Sequence, residues 1–222
     1  MSLSLRRPAL AGIVLVSNVL IACTEVPPMA PQPDPPPETG AVVTEPIAPT
    51  TGWADILGPV SAPENWQVEP CVNEVLLCVE ANGDLIGSVE RFSLSLDDAN
   101  LQGGSPVTEE SRRQFLQAWV ADHYLALERD RKTGNPALTF TSEPPQDIAI
   151  GSLPGLRYGY TITHPNGALF DRGIGYVTTD GNLIHVFVTG VISGDPSGSF
   201  SDEAAVEAFE PHLDTIIQGL RL

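Results

Sequence analysis

The segment GLRYGYTITHPNGALFDRGIGYVTTDGNLIHVFVTG, residues 155–190, decides the fold because turn dipeptides divide it into β-forming runs. Asn166-Gly167 and Asp180-Gly181 each lie between runs that are rich in aromatic and β-branched residues. Such dipeptides accept a positive φ angle at both turn positions, as a tight type I′ hairpin requires. The segment therefore predicts an antiparallel meander of three strands, at residues 156–163, 168–179 and 183–192.

The last of these strands carries apolar side chains on both of its faces. Its residues alternate as Ile184, Val186, Val188 and Ile192 on one face and as Leu183, His185, Phe187 and Val191 on the other. Successive side chains of a strand point to opposite faces, so apolar groups on both faces require a cover on both. We therefore expect a layer on each side of the sheet.

Two helical patterns can supply these layers. The first begins at Pro106 or Glu109, with Thr108 as its N-cap, and ends near Arg131. Its apolar stripe consists of Phe115, Leu116, Trp119, Val120, His123, Tyr124 and Leu127. The second begins after Ser201 as N-cap, and its stripe consists of Val206, Phe209, Leu213, Ile216, Ile217 and Leu220. Pro211 falls inside the second helix and predicts a kink or a restart, because proline removes a hydrogen bond and clashes with the preceding turn.

The remaining strands come earlier in the chain. Asn82-Gly83 predicts a hairpin between strands at residues 75–81 and 84–96, and two more strands are expected at residues 137–142 and 147–152. This order of elements predicts the α+β class, with an antiparallel β-sheet flanked by helices.

A hydrophobic run near the N-terminus predicts export. Arg6 and Arg7 form a short basic region, and an apolar run extends from Ala9 to Ala22. A membrane-spanning helix needs about 20 apolar residues, so residues 1–22 fit a secretory signal peptide better.

Leu20-Ile21-Ala22-Cys23 resembles the lipobox of bacterial lipoproteins. In that family the cysteine thiol receives a diacylglycerol, cleavage precedes the cysteine, and the new amino group is acylated. The resemblance implies that Cys23 is lipidated and that membrane lipid is a partner. It places the protein outside the cytoplasm, on the periplasmic or lumenal face of a bacterial membrane, and the non-acidic Thr24 permits sorting to the outer membrane. The alternative is an ordinary signal peptide with an incidental Cys23.

A proline-rich stretch separates the predicted anchor from the predicted domain. Residues 24–50 contain nine prolines and almost no large apolar side chains, so they cannot build a core. We expect residues 23–52 to be a lipidated cysteine followed by a disordered, semi-rigid linker, and residues 53–222 to be a single globular domain.

The two other cysteines, Cys71 and Cys78, are separated by six residues. Common structural zinc pairs use a spacing of about two to four residues, and the sequence has no second cysteine pair to complete a site. Two thiols this close pair readily in an oxidising compartment, so we predict a disulfide. Free core cysteines and a redox-active pair are the alternatives.

The charge of the chain restricts its partners. It carries 11 basic and 28 acidic residues, a net charge of −17, and removal of residues 1–22 would leave 9 basic residues and a net charge of −19. This balance opposes binding to nucleic acid and favours a basic partner, or keeps an exported protein dissolved.

The sequence contains no recognisable catalytic, cofactor-binding or metal-binding motif. The four histidines, His123, His164, His185 and His212, form no ligand pair at helical spacing, and His123 is expected to be a packed core histidine. We therefore predict no catalytic residue, no cofactor and no metal. Four aromatic side chains could line a ligand-binding cleft between helix and sheet, although core packing is the simpler interpretation: Trp119, Tyr124, Tyr158 and Tyr160.

The end of the chain resembles PsbP-like and DcrB-like domains. The matching positions are Gly155, Tyr158, Tyr160, Gly181, Leu183, Phe209, Ile216, Ile217 and Leu220. The resemblance implies an α/β/α sandwich, and members of this family are often lipid-anchored or lumenal accessory proteins of membrane complexes, most without enzymatic activity. The proline-rich linker and the disulfide candidate depart from that pattern.

Three functions remain open after these observations. The first is a lipid-anchored, non-enzymatic interaction domain that docks to or assists an envelope or photosynthetic-type membrane complex. The second is a periplasmic small-ligand binder, and the third is a hydrolase with an unrecognised site.

Overall fold

The computed structural model describes residues 52–96, 108–192 and 198–222 of the chain. The predicted signal peptide, the lipidation site at Cys23 and the linker up to residue 51 lie outside the described residues, as does Pro106. In chain order the elements are α1 (Trp53–Ile56), β1 (Trp66–Pro70), β2 (Leu76–Ala81), β3 (Asp84–Ser95), α2 (Glu109–Gly134), β4 (Thr139–Ser142), β5 (Gln146–Ile150), β6 (Leu153–Thr163), β7 (Leu169–Thr179), β8 (Leu183–Val191) and α3 (Glu203–Gln218).

All eight strands of the described part belong to one antiparallel sheet. Their order is β1-β2-β3-β8-β7-β6-β4, and β5 also pairs with β6. The predicted three-stranded meander is β6-β7-β8, at the centre of the sheet. β4 and β5 share one side of β6, because β4 pairs with its second half and β5 with its first half. The predicted α+β class, an antiparallel sheet flanked by helices, is confirmed.

Each face of the sheet carries its own apolar cluster. On one face, α2 packs Leu116, Trp119 and Val120 against side chains of the central strands that include Leu156, Tyr158, Val177, Ile184 and Val186. On the other face, α3 packs Val206, Phe209, Leu213, Ile216 and Ile217 against a second set that includes Ile174, Tyr176 and Phe187. The alternation along β8 therefore predicted correctly that both faces are covered, and the layers form an α/β/α sandwich.

Two glycines of β7 make room for two tyrosines of β6. Tyr158 pairs with Gly175, and Tyr160 pairs with Gly173. A Cβ atom on Gly175 would lie 2.1 Å from Cζ of Tyr158, and one on Gly173 would lie 2.3 Å from Cε1 of Tyr160. Any side chain larger than hydrogen at these two positions would collide with a ring, so each tyrosine lies across the backbone of β7 beneath α2.

The turn types differ from the prediction at two of the three hairpins. Only Asn82-Gly83 has two positive φ angles, 55° and 86°. At the other two turns only the glycines have positive φ, 83° for Gly167 and 97° for Gly181. There the preceding residue uses its side chain instead: Asn166 Oδ1 accepts a hydrogen bond from Ala168 N–H, and Asp180 Oδ1 accepts from Leu183 N–H. Side-chain acceptors of this kind stabilise a turn in which only the glycine, and not the residue before it, has left-handed backbone.

Helix α2 begins at its predicted N-cap, and helix α3 begins one residue later than predicted. Thr108 caps α2 as predicted, and its side chain accepts a hydrogen bond from Ser111 N–H. The cap of α3 is Asp202 and not Ser201, because the Asp202 carboxylate accepts from Ala205 N–H at 2.8 Å.

The expected restart at Pro211 is wrong, since α3 continues through the proline as one helix, and the expected kink stays a prediction. Pro211 is exposed, and Phe209 and Leu213 on either side of it are buried in the core. Packing of these neighbours offsets the lost backbone hydrogen bond.

Cys71 and Cys78 form a disulfide, as the sequence predicted. Their Cα atoms are 5.2 Å apart. The bridge joins the residue that follows β1 to the middle of β2, and so closes the hairpin at the edge of the sheet. Within the described ranges, no helix has both the length and the hydrophobicity needed to cross a membrane.

Candidate functional site: a groove between α2 and the edge strand β5

An open groove of about 700 Å³ lies between the N-terminal half of α2 and the hairpin of β5 and β6. Its floor is apolar and is formed by Leu116 of α2 and Leu156 of β6, which are buried, at 2% and 1% exposed. Ala149 and Pro154 are exposed at its wall. The groove combines an apolar floor with a charged rim.

The wall formed by β5 is an edge of the sheet. β5 pairs with β6, and none of the strands in the described ranges lies on its other side. In an antiparallel strand, alternate residues direct their N–H and C=O groups away from the paired neighbour. β5 therefore offers main-chain donors and acceptors beside the groove.

Two adjacent arginines lie on the α2 side of the groove and differ in their surroundings. Arg113 Nε lies 2.8 Å from Asp147 Oδ1 of β5, with both side chains about half exposed, so this pair contributes little to stability. Arg112 is half-buried, and its Nε is buried without a hydrogen-bond acceptor in the described residues. No carboxylate of the described ranges lies within ion-pair distance of Arg112.

The other partly buried arginines on the two faces of the sheet already have carboxylates. Arg157 and Arg172 of β6 and β7 both bind Glu210 of α3, and Arg172 Nη2 lies 2.9 Å from Glu210 Oε2. Arg131 binds Asp171, whose carboxylate is fully buried, at 2.7 Å. In the described ranges, Arg91 and Arg157 also have an Nε without a hydrogen-bond acceptor, but neither lines the groove. Arg157 binds Glu210, and Arg91 feels the opposite charge of Asp55. Arg112 thus stands out as a groove-lining cation that forms no ion pair in the described ranges, with Glu109, three residues before it in α2, lining the same groove.

The start of α2 fixes the backbone position of Arg112. Thr108 and Ser111 form a reciprocal capping box, in which each side chain accepts from the backbone N–H of the other. Arg112 N–H then donates to the carbonyl oxygen of Thr108 at 2.9 Å as the first helical turn closes. A capped first turn is rigid, so the arginine is presented from a fixed backbone.

The four aromatic residues predicted to line a cleft do lie together, in the layer between α2 and the sheet. The Trp119 and Tyr158 ring centroids are 6.1 Å apart, those of Tyr124 and Tyr158 are 6.0 Å apart, and Tyr160 stacks on Phe140 at 5.5 Å. None of the four lines the groove. Tyr158 is 2% exposed, its hydroxyl has no hydrogen-bond partner in the described residues, and burial raises its pKa. A ligand-binding role for this set stays a prediction.

His123 packs within the same layer. Its ring stacks on Trp119 at 5.0 Å and meets the edge of Tyr158 at 5.5 Å. Burial lowers the pKa of His123 to about 4, because the protonated form would lose its hydration. The packed histidine expected from the apolar stripe is therefore what the structure contains.

A serine, a histidine and an aspartate lie close together at the start of β8. Ser93 Oγ lies 3.0 Å from Nδ1 of His185, and Asp180 Oδ2 lies 3.0 Å from its Nε2. Ser93 is exposed and His185 is 6% exposed. Hydrogen bonds from two backbone N–H groups of the turn and from His185 help to lower the pKa of Asp180 despite its partial burial. The spacing of residues along the chain could not predict this set, because Ser93 lies beside His185 only through the pairing of β3 with β8.

His164 and His212 lie elsewhere, against Phe170 and Ser61 respectively. In the described ranges, no three His, Cys, Asp or Glu side chains gather in a way that could hold a metal ion.

The comparisons with known proteins concern the fold. No family model and no curated protein matches the chain. The solution structure of cyanobacterial PsbP from Synechocystis sp. PCC 6803 is similar at 8% identity and a TM-score of 0.38, covering 73% of this chain and 85% of that one. A crystal structure from Bacteroides thetaiotaomicron VPI-5482 is similar at 13% identity and a TM-score of 0.33, covering 73% of this chain and 43% of that one.

The first of these structures is a PsbP, the kind of domain that the sequence resemblance predicted. The match to the Bacteroides protein spans less than half of that chain. At such identities and TM-scores we take no site, partner or activity from either structure.

Acidification should destabilise the domain through His123. The pKa of this side chain is about 6.5 in an unfolded chain and about 4 in the fold, so the unfolded state binds the proton more readily as the pH falls between these values. We expect the free energy of unfolding of the wild type to fall by up to about 3 kcal/mol more than that of His123→Phe between pH 7 and pH 4. Urea denaturation of both proteins across this range measures the difference. Parallel curves would contradict the burial of a neutral imidazole.

Proposed function

We propose that this protein is a membrane-tethered, non-enzymatic accessory protein whose domain docks onto a protein partner through the groove between α2 and β5. The observation that carries the proposal is the groove itself, with an apolar floor, an open sheet edge and an arginine that forms no ion pair among the described residues. Grooves that join an exposed strand to a helix are a recurring place for a partner's chain to bind.

The proposed location outside the cytoplasm rests on two features of the chain. The disulfide between Cys71 and Cys78 fits an oxidising compartment. Residues 1–23 have the pattern of a lipoprotein signal that ends at a cysteine, and acyl chains on Cys23 would anchor the protein stably. In this proposal the proline-rich residues 24–50 are the spacer between the lipid anchor and the domain.

The partner that suits these features is a protein of an envelope or photosynthetic-type membrane complex. The net charge of −17 favours a partner surface that is basic overall, since the field of the whole protein steers the first encounter. Nucleic acid is disfavoured by the same field.

Two variants that introduce the same residue test this proposal. Ala149→Arg places a long side chain in the groove wall, whereas Leu125→Arg places it at a residue of α2 that is 57% exposed and does not line the groove. After mild solubilisation of membranes, we expect the wild type and Leu125→Arg to enrich the same protein, and Ala149→Arg to lose it about tenfold or more. The proposal fails if the wild type enriches no protein, or if Ala149→Arg retains the partner.

The tether is tested separately with Cys23→Ser. We expect this variant to leave the membrane fraction while a groove-dependent interaction persists in solution.

A hydrolytic function is the second candidate, and the Ser93–His185–Asp180 set is the observation that favours it. A serine beside a histidine that an aspartate orients is the arrangement that activates a nucleophile. Asp180 also accepts hydrogen bonds from the backbone N–H groups of Asn182 and Leu183. The three side chains therefore have a structural explanation as well, because they stabilise the turn between β7 and β8.

The two accounts differ in their response to a fluorophosphonate probe. We expect the wild type to be labelled no more than Ser93→Ala, because the set stabilises a turn. Stoichiometric labelling that disappears in Ser93→Ala, as read by intact mass, would support the hydrolase instead.

A further inference from the structure

We infer that the groove receives an extended segment of the partner, which adds as a strand to the outer edge of β5 and places one carboxylate against Arg112. This inference rests on the proposed function and specifies the chemistry of the segment that the groove recognises.

The first support is the position of the free edge. β5 is five residues long, Gln146–Ile150, and its register with β6 pairs Asp147 with Leu156. Leu156 belongs to the cluster under α2, so Asp147 and Ala149 lie on the α2 face of the sheet. Ile148 and Ile150 lie on the opposite face, packed with α3. An added strand would therefore direct alternate side chains over the apolar floor of the groove.

The second support is the length that the edge allows. Pro144 and Pro145 come directly before β5, and proline cannot donate a main-chain hydrogen bond. Five residues of strand span about 17 Å. The edge is thus suited to a short segment of a partner and not to a long strand, and this restriction also protects the edge from aggregation.

The third support is charge complementarity at the rim. Arg112 lines the groove and has no carboxylate within ion-pair distance in the described ranges. Its Nε is buried, so an incoming carboxylate would meet the two Nη groups. A guanidinium group matches a carboxylate with two parallel hydrogen bonds, which are stronger than hydrogen bonds between neutral groups. The neighbouring Arg113 is already held by Asp147, so the vacant partner position belongs to Arg112.

A second copy of this chain is a poorer occupant than a different protein. Two copies would each bring a net charge of −17 to the interface. A partner that is basic overall and carries one acidic side chain in an extended segment satisfies both the field of the domain and the local need of Arg112.

A peptide panel tests the chemistry of the segment directly. The probes are fluorescein-labelled heptapeptides of alternating Thr and Val in which Glu, Gln or Lys occupies each position in turn. Binding to the full-length protein in detergent is followed by fluorescence anisotropy. We expect at least one Glu peptide to bind about tenfold more tightly than its Gln and Lys counterparts.

Two arginine variants and one chemical change identify the contacts. Arg112→Gln should abolish the preference for Glu, whereas Arg129→Gln, an exposed arginine of the same helix outside the groove, should keep it. N-methylation of alternate peptide amides should abolish binding in one register and leave it intact in the other, because only one set of amides faces β5.

The inference is overturned if no Glu peptide is preferred, if the preference survives in Arg112→Gln, or if both N-methylated series bind equally. A concentration-dependent dimer in which the same edge pairs with itself, seen by analytical ultracentrifugation and lost in Ala149→Arg, would also overturn it.

Failure of this inference is distinguishable from failure of the proposed function. A partner that is lost with Ala149→Arg but kept with Arg112→Gln would leave groove docking in place and remove the carboxylate contact, and with it this inference.

Discussion

The packing of Tyr158 and Tyr160 across the backbone of β7 is the constraint on which the rest of this domain depends. Gly175 and Gly173 lie directly opposite the two tyrosines and leave space that any other residue would fill. Trp119, His123 and Tyr124 of α2 all contact Tyr158, so the ring is the surface on which the helix rests. The groove lies where the N-terminal half of the same helix passes beyond these rings and approaches β5.

The electrostatics of the domain divide into satisfied and unsatisfied parts. On the α3 face, Arg157 and Arg172 share Glu210, and the Tyr176 hydroxyl donates to Asp214 at 2.6 Å, so the charges hold helix and sheet together. Near the C-terminal end of α2, the fully buried Asp171 is neutralised by Arg131. At the N-terminal end Arg112 forms no ion pair in the described ranges, and in the proposed function it is the side chain that binds the partner.

Much of the fold could be predicted from local patterns, but the candidate site could not. Alternation along β8 and the stripe of α3 report burial directly, because burial selects apolar side chains whatever the topology. The caps and turns were harder, because Asp180 and Asn166 use their side chains where the dipeptide pattern suggests left-handed backbone. The edge position of β5 and the missing partner of Arg112 follow from strand order and side-chain proximity. No spacing along the chain encodes either.

The most direct test of this account is the free energy of unfolding of Gly175→Ala against that of Gly134→Ala. A methyl group on Gly175 would lie 2.1 Å from Cζ of Tyr158, whereas one on Gly134 would meet nothing within 4 Å. If the tyrosine lies across β7 as described, Gly175→Ala loses about 1–3 kcal/mol through overpacking. Gly134→Ala, at the end of α2, should then equal or exceed the wild type, because alanine favours helix by up to about 1 kcal/mol over glycine. A Gly175→Ala protein as stable as the wild type would contradict the seating of α2 and, with it, the placement of the groove.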